Sequence, residues 1–152
     1  MESGPLATVQ RMNDDTYPED RATVHAMNML LAIAFGGAIG ALGRHFVNVG
    51  VANLVGLDFP WGTLTVNIVG SFAMGVLVHI MATTWTVTPE VRALLTVGGL
   101  GAFTTFSTFS LDVIVLYERG QVMFAAGYVL VSVIGAIGAL LVGLRLARVV
   151  FA

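Results

Sequence analysis

Four long stretches of this chain carry no charged side chain: residues 26–43, 59–89, 93–111 and 121–144. A bilayer core about 30 Å thick is crossed by roughly 20 mostly apolar residues in a helix, and each stretch supplies that length or nearly so. Lipid offers the backbone no hydrogen bonds, so a spanning segment must pair its own peptide groups. The pattern therefore predicts an all-α membrane protein of four transmembrane helices, at about 29–47, 61–81, 91–117 and 122–148. The connections 48–60, 82–90 and 118–121 are too short for an extramembrane domain. One folded unit, 28–152, is expected after a polar, acidic tail, 1–27, whose composition should leave it disordered. A cleaved signal peptide would need a basic region before a short apolar core; this tail is acidic, so the first span is read as permanent.

Composition removes several function classes. Apolar residues make up 57% and charged residues 11% of the chain, against about 45–50% and 25% in soluble domains, which argues against a water-soluble enzyme. With no cysteine there is no disulfide framework, thiolate metal site or cysteine nucleophile. Seven arginines and no lysine against nine acids give no basic footprint for nucleic acid. The arginines near the spans divide three, Arg92, Arg145 and Arg148, against two, Arg44 and Arg119. Charge bias across the membrane sets orientation, and so small a bias permits two oppositely inserted copies to pair.

Small residues recur at helical spacing: Gly36, Gly40 and Gly43 on the first span, Ser71 and Gly75 on the second, Gly135, Ala139 and Gly143 on the fourth. In lipid such faces let backbones approach closely, and tight packing is the expected role for most of them. Four helices enclose little interior, so a solute path is expected to need an oligomer. The third span, 27 residues over 91–117, would reach about 40 Å as one helix. Its centre holds Gly98, Gly99 and Gly101, each weakening a helix by about 1 kcal/mol relative to alanine, followed by Thr104, Thr105, Ser107 and Thr108, which compete for backbone hydrogen bonds. A break near 101–104 is expected. Such a break either packs against a neighbouring helix or leaves carbonyls that need a partner at membrane depth. Two copies meeting there would form a ring of oxygens suited to a small hard cation, Na⁺ first among the monovalent ones.

Polar groups inside the spans are few. Thr63, Asn67 and Ser71 recur every four residues on the second span, and Tyr128 and Ser132 do so on the fourth. A buried amide must find hydrogen-bond partners; Asn67 either bonds another helix or offers its NH₂ group to a solute. Phe106 and Phe109 share a face at i, i+3, and their positive ring edges can stabilise an anion without a basic group, or the rings can simply fill core or face lipid. Arg44 is assigned a structural role at the interface, since a fixed deep cation would hold an anion too tightly. Asp112, the only carboxylate within the third span and near its end, is read as interfacial or capping. His25, His45 and His79 have no metal-ligand spacing. No nucleophile with a base, carboxylate pair or phosphate loop is present, so no enzymatic activity is expected. Hydroxyl, amide and ring-edge chemistry suits conduction of a small anion.

Three blocks carry a resemblance: GGAIGALGRH at 36–45, WGTLTVNIVGSFAMG at 61–75 and GGLGAFTTFSTFS at 98–110. Over residues 28–148 the chain resembles the Fluc family, also called CrcB, of small fluoride channels. The resemblance implies an antiparallel, dual-topology homodimer in the plasma membrane, with a structural Na⁺ that is not transported. It also implies two pores exporting F⁻ passively and so lowering cytoplasmic fluoride. The backbone carbonyls of Gly101 and Thr104 are the implied sodium ligands. Asn67, Phe106 and Phe109 lie along the implied fluoride path, together with Thr63, Ser107, Tyr128 and Ser132. Ala136 departs from the hydroxyl that the resemblance implies at the third position of the row begun by Tyr128 and Ser132. The implied partners are fluoride, the bilayer and a second inverted copy, with a paralogous subunit as the variant; nucleic acid is not among them. The alternative, a dual-topology proton-coupled exporter of organic cations, calls for a central embedded carboxylate, which the first, second and fourth spans lack.

Overall fold

The computed structural model describes residues 18–151, and the side chains of 21–151. Its elements are α1 (Pro18–Val55), α2 (Trp61–Thr83), α3 (Pro89–Ala93), a π-helical segment (Leu94–Leu100), α4 (Gly101–Phe103), α5 (Phe106–Glu118) and α6 (Val122–Val150). α3 through α5 form one interrupted span, so four helical rods are long and apolar enough to cross a membrane.

The second to fourth spans begin and end close to where the charge gaps place them. The first does not. α1 runs 38 residues, about 57 Å at 1.5 Å per residue, and overshoots the expected 29–47 at both ends. Residues 18–27 are helical rather than disordered, and residues 1–17 lie outside the described part. The overshoot has a contact to hold it: His25 Nδ1 lies 3.3 Å from Glu90 Oε1 at the start of α3. Gly56, at φ 87°, ends α1 in the left-handed conformation that favours glycine. α3 is opened by Pro89 and by Thr88, whose hydroxyl accepts from Val91 N at 3.4 Å.

Packing follows the glycines. α6 lies along α2, and α1 lies along the π-helical segment. A Cβ on Gly75 would overlap the Leu140 carbonyl oxygen, and one on Gly143 would overlap that of Phe72. Likewise Gly36 and Gly40 sit against the carbonyls of Leu94 and Gly99, and Gly98 faces that of Ile33. Backbone therefore touches backbone at both contacts, which is how helices associate where no hydrophobic force acts between them.

The third span breaks at Thr104–Thr105, at the C-terminal edge of the expected interval. The glycines are not its cause. Gly98 and Gly99 lie in the π-helical widening, where the missing side chain of Gly98 admits α1, and Gly101 remains helical. Thr104 (φ −78°, ψ 158°) and Thr105 (φ −153°, ψ 122°) are extended, and α5 starts afresh at Phe106. The enclosed core is small, as four helices imply. Leu64, Phe109, Leu116, Ala125 and Tyr128 form its main cluster, while large apolar residues such as Phe35, Phe46, Ile134 and Ile137 stay exposed, a surface for lipid or another subunit.

Candidate functional site

Asn67 is the hub of the break. Its Oδ1 accepts from Thr105 N at 2.8 Å and its Nδ2 donates to Thr105 O at 3.0 Å. One carboxamide thus satisfies both peptide groups of Thr105, the second of the two extended residues. This is the helix-bonding alternative for Asn67, with one N–H of its NH₂ group left over. Thr105 also caps α5: its Oγ1 accepts from Thr108 N at 3.2 Å and donates to Thr108 Oγ1 at 3.1 Å. Ser107 Oγ is 3.2 Å from the same oxygen. Thr104 Oγ1 turns back to Leu100 O at 3.0 Å.

These bonds free two particular carbonyls. In an unbroken helix Thr105 N would donate to Gly101 O and Thr108 N to Thr104 O. The first donates instead to Asn67 and the second to Thr105 Oγ1. Gly101 and Thr104 are the two residues whose carbonyls the sequence reading assigned to Na⁺. A small hard cation takes oxygen ligands, so the donor chemistry fits, although one subunit supplies only part of a shell.

Beside the break lies a groove of about 280 Å³. It gathers Asn67, Thr104, Phe106, Phe109 and Ser132 from the sequence-assigned set, with Ser71 continuing the α2 row and Ala136 continuing that of α6. The rings of Phe106 and Phe109 are 5.4 Å apart at 45°, as their spacing predicts. Their surroundings differ: Phe109 is 8% exposed and Phe106 77%. Ser132 Oγ is buried with no hydrogen-bond partner, and Ala136 offers no hydroxyl.

Thr63 lines a second cavity of about 220 Å³, with Asn48, Asp58, Asp112 and Arg119. Tyr128, 1% exposed, stands at the junction. Its hydroxyl donates to Asp112 Oδ2 at 3.1 Å, and Thr63 and Ser132 are its other polar neighbours. Its ring meets Phe59 edge-on at 5.4 Å and Phe109 at 5.3 Å. Polar groups from α2, α5 and α6 therefore run from one cavity to the other. Gly101 and Ser107 are exposed outside both. Arg44 is half-buried and makes no hydrogen bond or ion pair with a described residue.

Two participants were missed in the sequence. Asp112, expected to be interfacial or capping, is the acceptor for Tyr128 on α6, beyond the turn that follows α5. Its spacing of three residues from Phe109 was the available signal. Asn48 falls in the stretch that the charge pattern reads as a connection, and in the structure it lies within α1. No group of three or more histidines and acids able to hold a metal occurs among the described residues.

The family described as CrcB-like protein, Camphor Resistance (CrcB), matches residues 31–144. A relative from Rhodospirillum centenum, named fluoride-specific ion channel FluC, is 52% identical over 122 residues, covering 80% of this chain and 97% of that protein. Proteins of the same name from a Chelativorans species and from Mesorhizobium japonicum are 55% and 54% identical over 122 and 119 residues. They cover 80% and 78% of this chain, and 98% and 95% of their own lengths. With nearly the whole membrane region matched, and with relatives that are channels rather than enzymes, this chain belongs to the CrcB family.

Proposed function

We propose that this protein conducts fluoride passively out of the cell across the plasma membrane, as a dual-topology antiparallel homodimer with a structural Na⁺. The observation that carries the reading is the groove at the break, where neutral donors and ring edges converge without a basic side chain. Fluoride is small and strongly hydrated, so a path must replace its water with donors while binding it weakly enough to release it. The free N–H of Asn67, the unpartnered Ser132 hydroxyl and the edges of Phe106 and Phe109 supply that replacement, with Tyr128 beside them holding its proton on Asp112. The names of the relatives point to the same ion.

The dimer and the cation are linked in this proposal. Phe106 is exposed in one subunit, so its anion-facing role requires a neighbour to close the path. The carbonyls of Gly101 and Thr104 lack their helical donors, and a second copy related by a two-fold axis would complete an oxygen shell around Na⁺. The ion then neutralises backbone dipoles at depth and stays in place. A paralogous subunit could occupy the second position in the same way. The organic-cation exporter gains no support, since Asp112, the acid it would need, is engaged by Tyr128.

The test is anion efflux from proteoliposomes containing the purified protein. Fluoride is expected to leave rapidly and chloride to stay, with flux lost when Na⁺ is withheld during purification. Equal passage of chloride and fluoride would reject selective conduction.

A further inference from the structure

The cavity between the C-terminal part of α1, the loop into α2 and α5 holds a feature that the groove at the break does not use. The Asn48 carboxamide makes no hydrogen bond to a described residue, and its Oδ1 is buried. It lies over Gly62: a Cβ on that glycine would overlap Asn48 Oδ1 and come within 3.0 Å of Asn48 Cα. Gly62 precedes Thr63 in the first turn of α2, so the missing side chain is what lets this amide sit at the foot of the Thr63, Tyr128 and Ser132 row.

A polar edge buried without a partner is unfavourable, and a half-turn about χ2 exchanges oxygen for NH₂ at the buried position. The site thus presents donors to the cavity as readily as an acceptor. The other polar walls are committed or charged. Asp112 accepts from Tyr128, Asp58 and Asp112 disfavour a free anion, and Arg119 offsets one of them. An anion entering here requires a neutral donor not already engaged, and Asn48 is one.

We propose that Asn48, seated on Gly62, is a fluoride-binding residue at this mouth, passing the ion on toward Thr63. This rests on the fluoride reading above. The experiment compares fluoride efflux over a range of fluoride concentrations for the native protein, the near-isosteric pair Asn48→Thr and Asn48→Val, and Gly62→Ala. A lost hydrogen bond to an ion should raise the half-saturating fluoride concentration about tenfold in Asn48→Val. Asn48→Thr, which keeps a donor, should stay close to native, and Gly62→Ala, which displaces the carboxamide, should resemble Asn48→Val. Equal behaviour of the Thr and Val variants, or a native-like Gly62→Ala, overturns the proposal while leaving conduction intact. Absence of fluoride efflux from the native protein would instead overturn the function itself. Gly62→Ala also decides the matter should both Asn48 variants fail to fold.

Discussion

At the scale of single residues, structural and conductive duties separate by how each polar group is paired. Asn67 serves the fold first: replacing it by leucine orphans Thr105 N–H and C=O together, at about 1–3 kcal/mol for each buried group. Asn67→Leu should therefore lower the thermal midpoint in detergent as well as abolish fluoride efflux. Ser132 is the opposite case. Its Oγ is buried and unpartnered, so Ser132→Ala removes an unsatisfied group at little or no cost to stability, yet deletes a donor from the proposed path. Expected is an unchanged or slightly raised midpoint with fluoride efflux reduced several-fold; a clear drop in midpoint would mean that the hydroxyl supports the fold. Phe106, mostly exposed in one subunit, should behave like Ser132: Phe106→Ile leaves the folding of the subunit intact and cuts efflux.

At the scale of elements, the helix contacts depend on glycines whose absent side chains admit a neighbouring backbone. Gly75→Val should separate α2 from α6, because its Cβ would collide with the Leu140 carbonyl rather than with a side chain that can move. Overpacking commonly costs about 1–3 kcal/mol, and a backbone obstacle places this variant at the upper end. Gly50 has no neighbour within 4 Å, so Gly50→Ala should instead stabilise α1 by about 0.5–1 kcal/mol through helix propensity. Thermal unfolding of the two variants should thus move in opposite directions. The close-packing role of Gly36, Gly40, Gly75 and Gly143 was legible because small residues at helical spacing have few other uses in lipid. The spans were legible for an equally direct reason, the exclusion of charge from hydrocarbon. Where the third helix gives way was only partly legible. Local propensity marks the glycines as its weak point, but α1 packs on them and holds them helical. The interruption falls where a tertiary contact, Asn67 on Thr105, outbids the intrahelical bond. The pairing of Asp112 with Tyr128 and the shelf under Asn48 were hidden for the same reason, each being made between different helices.

At the scale of the whole molecule, the proposed antiparallel pair requires one sequence to supply two subunits of opposite orientation. Orientation is set by positive charge flanking the spans, and the arginines nearest them divide three against two. Each positive residue added to a short loop should shift the balance appreciably. The turn between α2 and α3 exposes Thr84 and Thr86; the opposite side exposes Asn53 and Leu57. Thr84→Lys with Thr86→Lys should drive all copies one way, and Asn53→Lys with Leu57→Lys the other way. If the working unit is antiparallel, either double variant expressed alone inserts and folds but protects cells poorly against fluoride, since it meets no inverted partner. Expressing the two together should restore protection, and cross-linking should then capture a heterodimer of the two variants. A parallel or monomeric channel predicts the reverse, with each variant fully active alone and nothing gained on mixing. The groove at the break makes the first outcome the physical expectation. Its exposed Phe106 and the released carbonyls of Gly101 and Thr104 are left without a partner in the single chain, and the proposed inverted copy would bring the same unfilled groups to meet them.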